Sequence, residues 1–311
     1  LKNHILISVI IPTHNQSWEL DKTLYSISRQ NGIQSNEFEV IVVNTNPIDR
    51  ETYATVRQYF LRDKNVRLIE VHDERAQAIK NATFPVNLGA RQYAKGELLL
   101  VAVDSARVLT PGVLRKTRDE FERWGNEIVT TTIPYHFYKH SSTLGFTVEE
   151  CRREFLKTRW KQDFYHLFNY TADTYISTCG VPNESTWLGI TKENFLKAGG
   201  HNEFFTEWSE YNLDLFRRLT KHKPEGDKQE VGIVNSKWGK VGLGLEVHVL
   251  EGEADFHLHH SLSDAKRNPN VLVGFRKRVW NHYAEVGDCI VANKLAPNWG
   301  KSSEAEEITF K

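Results

Sequence analysis

The chain has 311 residues, 40% hydrophobic and 26% charged, as expected of a soluble globular protein with one large α/β core and insertions. Its 40 Lys and Arg balance 40 Asp and Glu with no basic block or arm, so nucleic acid is not an expected partner. No apolar run approaches the length of a membrane span, no signal-peptide pattern is seen, and Cys151, Cys179 and Cys289 are too scattered for a disulfide framework or zinc knuckle; a reducing cytoplasm is the expected compartment.

In chain order, Ile5 to Ile11 reads as an apolar strand closed by Pro12, with a polar turn at Thr13, His14 and Asn15. Ser17 is placed to cap a helix whose Leu20, Leu24 and Ile27 fall at i, i+4 and i+7. Phe38 to Val43 is the next strand and runs into Asn44, Asn46 and Asp49. A helix carrying Tyr53, Val56 and Phe60 follows, then a short strand, Val66 to Val71. This alternation predicts a doubly wound, mostly parallel sheet. Pro85 to Gly96 reads as a short helix with a Gly cap. The largely apolar, non-alternating residues between Gly96 and Asp104 read as a strand covered on both faces, with Asp104 at its carboxyl end, where open α/β sheets place ligands. Right-handed crossovers would bring Thr13, Asn15, Asn44, Asn46 and Asp104 to one rim.

Thr110 and Pro111 read as the start of another helix, and Glu127 to Ile133 as a strand. Val148 to Leu167 is amphipathic and dense in Arg, Lys and aromatics, an insertion expected to lie over the sheet edge. Within it Arg152 to Lys161 reads as a solvated helix face or as a surface for a phosphate-bearing or lipid-linked ligand. Thr191 caps a short helix stopped by Gly199 and Gly200, and Ser209 caps another. Glu230 to Val234 and Leu245 to Leu250 read as late strands. They are followed by Asp255-Phe-His257-Leu-His259-His260 and by a basic, aromatic tail from Phe275 to Tyr283.

Asp104 is of the type that ligates Mg2+ or Mn2+, with a simple turn role as the alternative. His257 and His259 would point to one side of an extended segment and are candidate ligands, or plain surface or core histidines. Trp187, Trp208 and Tyr211 are candidates to stack on a ligand, with burial in the core as the commoner role.

The order Ser8-Val-Ile-Ile-Pro-Thr-His-Asn15, Glu39-Val-Ile-Val-Val-Asn44 with Asp49, Asn87-Leu-Gly89, Ala94-Lys-Gly96-Glu, Asp104 and Pro111-Gly112 resembles glycosyltransferase family 2, of the GT-A fold. Lys197-Ala-Gly199-Gly200-His-Asn-Glu203-Phe-Phe205 is similar to that family's Gly-Gly-Phe-Asp-Glu-x-Phe segment. The resemblance covers roughly residues 5 to 260. It implies a nucleotide-diphosphate sugar as donor, contacted by Pro12, Thr13, Asn15, Asn44, Asn87 and Asp104, and a hydroxyl on a glycan or lipid-linked sugar as acceptor, as in polysaccharide biosynthesis. Turn chemistry is the competing role for these short polar residues. The resemblance further implies Mn2+ or Mg2+ held by Asp104 with His257 or His259, and inverting transfer with Glu210 as base and Asp214 as second candidate. Ser105-Ala106 stands where the family expects Asp-x-Asp, and Tyr211-Asn212 falls where counting back from Arg218 would place its Glu-Asp pair.

The expected organisation is a GT-A-like domain over 1–264, with a nucleotide-sugar half at 1–112, an acceptor half at 113–264 carrying the helical insertion, and a helical C-terminal extension at 265–311. A peripheral membrane contact of the tail remains open. Two rival functions are a scaffold that binds a nucleotide or glycan without turnover, and a sugar-phosphate nucleotidyltransferase. The second would want a Gly-rich basic phosphate loop where Pro12-Thr13-His14-Asn15 stands.

Overall fold

The computed structural model describes residues 6–74, 82–138, 146–147, 175–178, 187–203, 211–220, 243–258 and 300–310. Strands β1 (Ile7–Thr13), β2 (Phe38–Asn44), β3 (Val66–Val71) and β4 (Leu98–Ala102) run parallel in the order β3-β2-β1-β4. Every residue of β1, β2 and β4 is buried, which explains their unbroken apolar runs: both faces are covered. Alternate side chains part to opposite faces. Val9 and Ile11 pack with helices α1 (Ser17–Ser28) and α2 (Arg50–Arg62). Ile10 packs on the other side, with α3 (Thr83–Leu88).

Beyond β4 the sheet becomes mixed and continues in the order β9-β6-β10-β5. Strand β9 (Trp187–Thr191) runs antiparallel to β4 and to β6 (Ile128–Tyr138). Strand β10 (Glu246–His257) is parallel to β6 and antiparallel to β5 (Arg107–Leu109). Strands β7 (Phe146–Thr147) and β8 (Tyr175–Thr178) pair with each other, and β8 pairs with β6. Helix α4 (Val113–Trp124) joins the α1–α2 side through Val113, Leu114 and Phe121. On the opposite side lie α5 (Lys192–Lys197) and α6 (Tyr211–Leu219), through Phe195, Tyr211, Leu215 and Leu219.

Several expectations change in detail. Gly96 caps no helix: α3 passes into a five-residue π turn at Gly89–Tyr93, and Gly96 is needed for close approach to β1. Its amide donates to Ser8 Oγ at 2.8 Å, and a Cβ there would collide with the Leu6 carbonyl. Thr110 does not cap α4, whose N-cap is Gly112; the threonine hydroxyl donates to Glu253 Oε2 at 2.6 Å. Thr191 does cap α5, accepting from the Asn194 amide at 3.2 Å, and Gly199 and Gly200 stop that helix at φ of 87° and 62°.

The extension read as helical ends in a strand, β11 (Ala305–Glu307), antiparallel to β3. The free edge of β3 explains this, since its unpaired backbone groups need partners. Arg67 fastens the two strands, reaching Glu307 at 2.6 Å and Glu39 at 2.8 Å, and Phe310 buries its ring beside Tyr53 and Phe60. The insertion at Val148 to Leu167, the strand at Glu230 to Val234 and the tail at Phe275 to Tyr283 lie outside the described residues. No helix among the described residues is long and apolar enough to cross a membrane.

Candidate functional site

The parallel strands β1, β2 and β4 deliver their carboxyl ends to one edge, and the turns beyond them are tied together there. The Thr45 amide donates to the Thr13 carbonyl at 3.1 Å, and His14 Nδ1 stands 3.0 Å from Thr45 Oγ1. Asn15 sits in the left-handed region at φ 54°, a conformation Asn tolerates well, and its Oδ1 accepts from the Asn46 side-chain amide. Ser105 joins β4 to β1: its hydroxyl lies 3.2 Å from Thr13 Oγ1 and 2.8 Å from Gln16 Oε1. Thr13, Asn15, Asn46 and Ser105, the residue next to Asp104, therefore converge on the expected rim.

Asn44 has a different job from donor contact. It is fully buried, its Nδ2 donates to the Asn46 carbonyl at 2.9 Å and its Oδ1 accepts from the Asn46 amide at 3.0 Å. That closed ring is an Asx-type turn holding the loop after β2. Pro12 lies inside β1, opposite Val43, and is buried there. Asn87 is also fully buried. Its Nδ2 donates to the His201 carbonyl at 2.8 Å and to Glu203 Oε1 at 2.9 Å, while its Oδ1 accepts from the His201 amide at 2.8 Å. Glu203 Oε1 also takes the Gly300 amide at 2.8 Å, so Asn87 is a staple for two loops rather than a donor contact.

The charged centre of the rim is built around Asp104. Its Oδ1 accepts the Ala106 amide at 2.9 Å, and Arg107 donates through Nε to Oδ1 at 3.2 Å and through Nη2 to Oδ2 at 3.3 Å. Strand β10 pairs with β5 so that His257 stands opposite Arg107, which brings His257 Nε2 to 3.5 Å from Asp104 Oδ2. Asp255, two residues earlier and on the same strand face, lies 3.4 Å from Arg107 Nη1 and accepts from Thr132 Oγ1 at 2.7 Å. Asp104 and His257 keep 19% and 16% of their side-chain surface, whereas Arg107 keeps 4% and Asp255 none. The partly exposed pair is thus backed by a sealed one.

Two neighbours carry the field of this centre. Burial raises the Glu19 carboxyl above the usual carboxylate range; a hydrogen bond to its own backbone opposes this, and the charge of Asp104 adds to it. Burial, reinforced by Asp104, also pushes the Tyr211 phenol well up, and its hydroxyl lies 3.4 Å from the Val103 carbonyl. Two carboxylates and one guanidinium leave an excess of negative charge beside an imidazole, a donor set suited to a divalent cation. Two ligand atoms at about 2.1 Å from one ion and adjacent to each other are about 3.0–3.5 Å apart. The 3.5 Å between Asp104 Oδ2 and His257 Nε2 meets this, so the residues fit a cation.

Asp214, expected as the second base candidate, is a structural ion pair instead. Its Oδ2 takes Arg218 Nη2 at 2.6 Å and Nε at 3.1 Å, with each side chain 1% exposed. A carboxylate forked by a guanidinium and shut from solvent cannot receive an acceptor's proton. Glu210 and His259 lie outside the described residues, as does Trp208. Trp187 and Tyr211 are core residues, 0% and 3% exposed, and offer no face to a sugar. The sequence does not single out Ser105, Gln16, Glu19, Arg107 or Thr132 for the site, and it marks Asp255 only as part of the histidine segment. Arg107 and Asp255 had usable signals, three residues after Asp104 and two before His257 respectively.

Residues 8–173 match the family model described as Glycosyl transferase family 2. The chain is 28% identical over 232 residues to a validoxylamine A glucosyltransferase of Streptomyces hygroscopicus subsp. jinggangensis, covering 70% of this chain and 52% of that protein. It therefore spans about half the length of the curated relatives it matches. Its fold is similar to the crystal structure of GalNAc-T7 with UDP, GalNAc and Mn2+, at a TM-score of 0.56 and 12% identity over 91% of this chain and 50% of that one. It is also similar to S. aureus TarS 1-349 in complex with UDP-GlcNAc, at 0.51 and 14% over 88% and 65%. At these identities the likeness is one of fold.

Proposed function

This chain belongs to glycosyl transferase family 2, and on that premise we propose that it transfers a sugar from a nucleotide-diphosphate donor to an acceptor hydroxyl at the rim around Asp104. The observation that carries this reading is the convergence of Asp104 and His257, 3.5 Å apart and both partly exposed, on the edge where β1, β2 and β4 end. Asn15 is assigned to a base and ribose laid along that edge; its exposure there and the left-handed turn that presents it support the assignment. Mn2+ or Mg2+ on Asp104 and His257 would neutralise charge on the departing diphosphate.

Transfer with inversion requires a carboxylate to take the acceptor's proton as it attacks. Glu210 is assigned that role from its residue type just ahead of α6, since Asp214 is consumed by Arg218. The acceptor is proposed to be a hydroxyl of a glycan or lipid-linked sugar.

The test is a thermal-shift titration with uridine and guanosine diphosphates and their sugars, with and without Mn2+, since a ligand of the native state raises the midpoint. A metal-dependent rise that Asp104→Asn abolishes is the expected result, together with slow donor hydrolysis in the absence of acceptor. A protein that binds no nucleotide overturns the assignment. Binding without any hydrolysis or transfer would instead favour a scaffold that has lost turnover, and release of pyrophosphate a nucleotidyltransferase.

A further inference from the structure

A buried arginine whose guanidinium serves two aspartates, one open to ligand and one sealed, is an unusual thing to build at a strand end. Arg107 touches both oxygens of Asp104, at 3.2 and 3.3 Å, and one oxygen of Asp255 at 3.4 Å. Asp255 has no solvent-exposed surface and is itself held by the Thr132 hydroxyl at 2.7 Å. Arg107 is therefore fixed from behind by groups closed off from solvent. Its planar fork can fix a carboxylate in orientation as well as in place. The Asp104 Oδ2 that it contacts is also the oxygen 3.5 Å from His257 Nε2.

We propose that the guanidinium charge of Arg107, held in place by Asp255 and Thr132, sets how tightly Asp104 and His257 take up a divalent cation. The inference rests on the reading of Asp104 and His257 as cation ligands. Its electrostatics have a definite sign. The guanidinium charge repels an incoming cation, and Asp255 offsets part of that repulsion from the sealed side. Removing Asp255 therefore weakens cation binding, and removing Arg107 strengthens it. A residue that merely packs would not produce opposite effects.

The experiment is calorimetric titration of the full chain with MnCl2 alone, without nucleotide. Asp255→Asn should raise the Kd for Mn2+ about tenfold, and Arg107→Gln should lower it by a similar factor, as expected for a buried charge within several ångströms of the ion. Arg107→Lys keeps the charge and should stay within about threefold of the wild type. Should Arg107→Gln not fold, Asp255→Asn carries the readout. If the wild type binds Mn2+ and Asp104→Asn and His257→Ala abolish binding, but Asp255→Asn leaves Kd unchanged or Arg107→Gln fails to lower it, the charge-setting role is overturned while the ligand assignment stands. If wild-type binding is absent, or survives both ligand substitutions, the ligand assignment fails and takes the proposal with it.

Discussion

Acidification should destabilise this protein through one imidazole, that of His201, and the size of the effect follows from its surroundings. His201 is 1% exposed, with its ring edge-on to Tyr211 at 5.4 Å and to Phe195 at 6.2 Å. Burial pushes its pKa from 6.5 down to about 3; the charge of Arg218 acts in the same direction, and a hydrogen bond to the Tyr211 backbone partly opposes them. Between these two values the unfolded chain binds a proton that the folded chain refuses. The stability is fully present above pH ~6.5 and is lost as pH falls towards ~3, at about 1.4 kcal/mol per pH unit. At pH ~5 the loss relative to neutrality is about 2 kcal/mol from this group alone. Urea denaturation of the wild type and of His201→Phe, at pH ~7 and ~5, isolates it, because the other titrating groups are common to both proteins. The expected result is a smaller loss of stability in the variant, by about 2 kcal/mol, whatever its baseline. Equal losses in the two proteins would mean that His201 is protonated in the fold or solvated, and would refute the reasoning.

Gly189 lies between Leu100 of β4 and Thr130 of β6, and a Cβ there would strike Thr130 Oγ1 and press on Thr117 Cγ2 at 3.1 Å. Gly189→Ala should cost about 1–3 kcal/mol, read from the denaturation midpoint, and Thr130→Ser should not relieve it because the hydroxyl remains. Asp49 caps α2, accepting from the Glu51 and Thr52 amides at 3.1 and 3.3 Å and from the Thr52 hydroxyl at 2.6 Å. Asp49→Ala should cost about 1 kcal/mol, and Asp49→Ser should recover most of it. Asp214→Ala strands the buried Arg218 guanidinium and should cost about 3–5 kcal/mol by chemical denaturation. If it folds, the pH–rate profile of the folded fraction should keep its shape, and a vanished acidic limb, the one governed by a base that must be deprotonated, would restore Asp214 as a candidate base.

The parts of this fold that were legible in the sequence are those decided by local pattern. The runs in β1, β2 and β4 have no polar face because none is solvated, and that placed Asp104 at the carboxyl end of a parallel strand. What composition and spacing could not supply is the partner of a polar side chain. Asn44, Asn46 and Asn87 have the same hydrogen-bonding groups whether they meet a ribose or a backbone amide, and only the folded chain shows Asn44 turned onto Asn46 and Asn87 onto His201.

The Asp214–Arg218 pair is a different case. Its i, i+4 spacing on a helix is visible in the sequence and is enough to mark the carboxylate as engaged by the arginine. Arg107 shows the opposite limit. Its contact with Asp104 is local, but Asp255 and His257 reach it across 148 and 150 positions through a strand of three residues, too short to carry a periodic signal. Register is the information missing from the sequence pattern: the pairing of His257 with Arg107 puts a histidine, two aspartates and an arginine on one face. Slipping β10 by one residue would turn His257 and Asp255 to the other face and leave Asp104 with Arg107 alone.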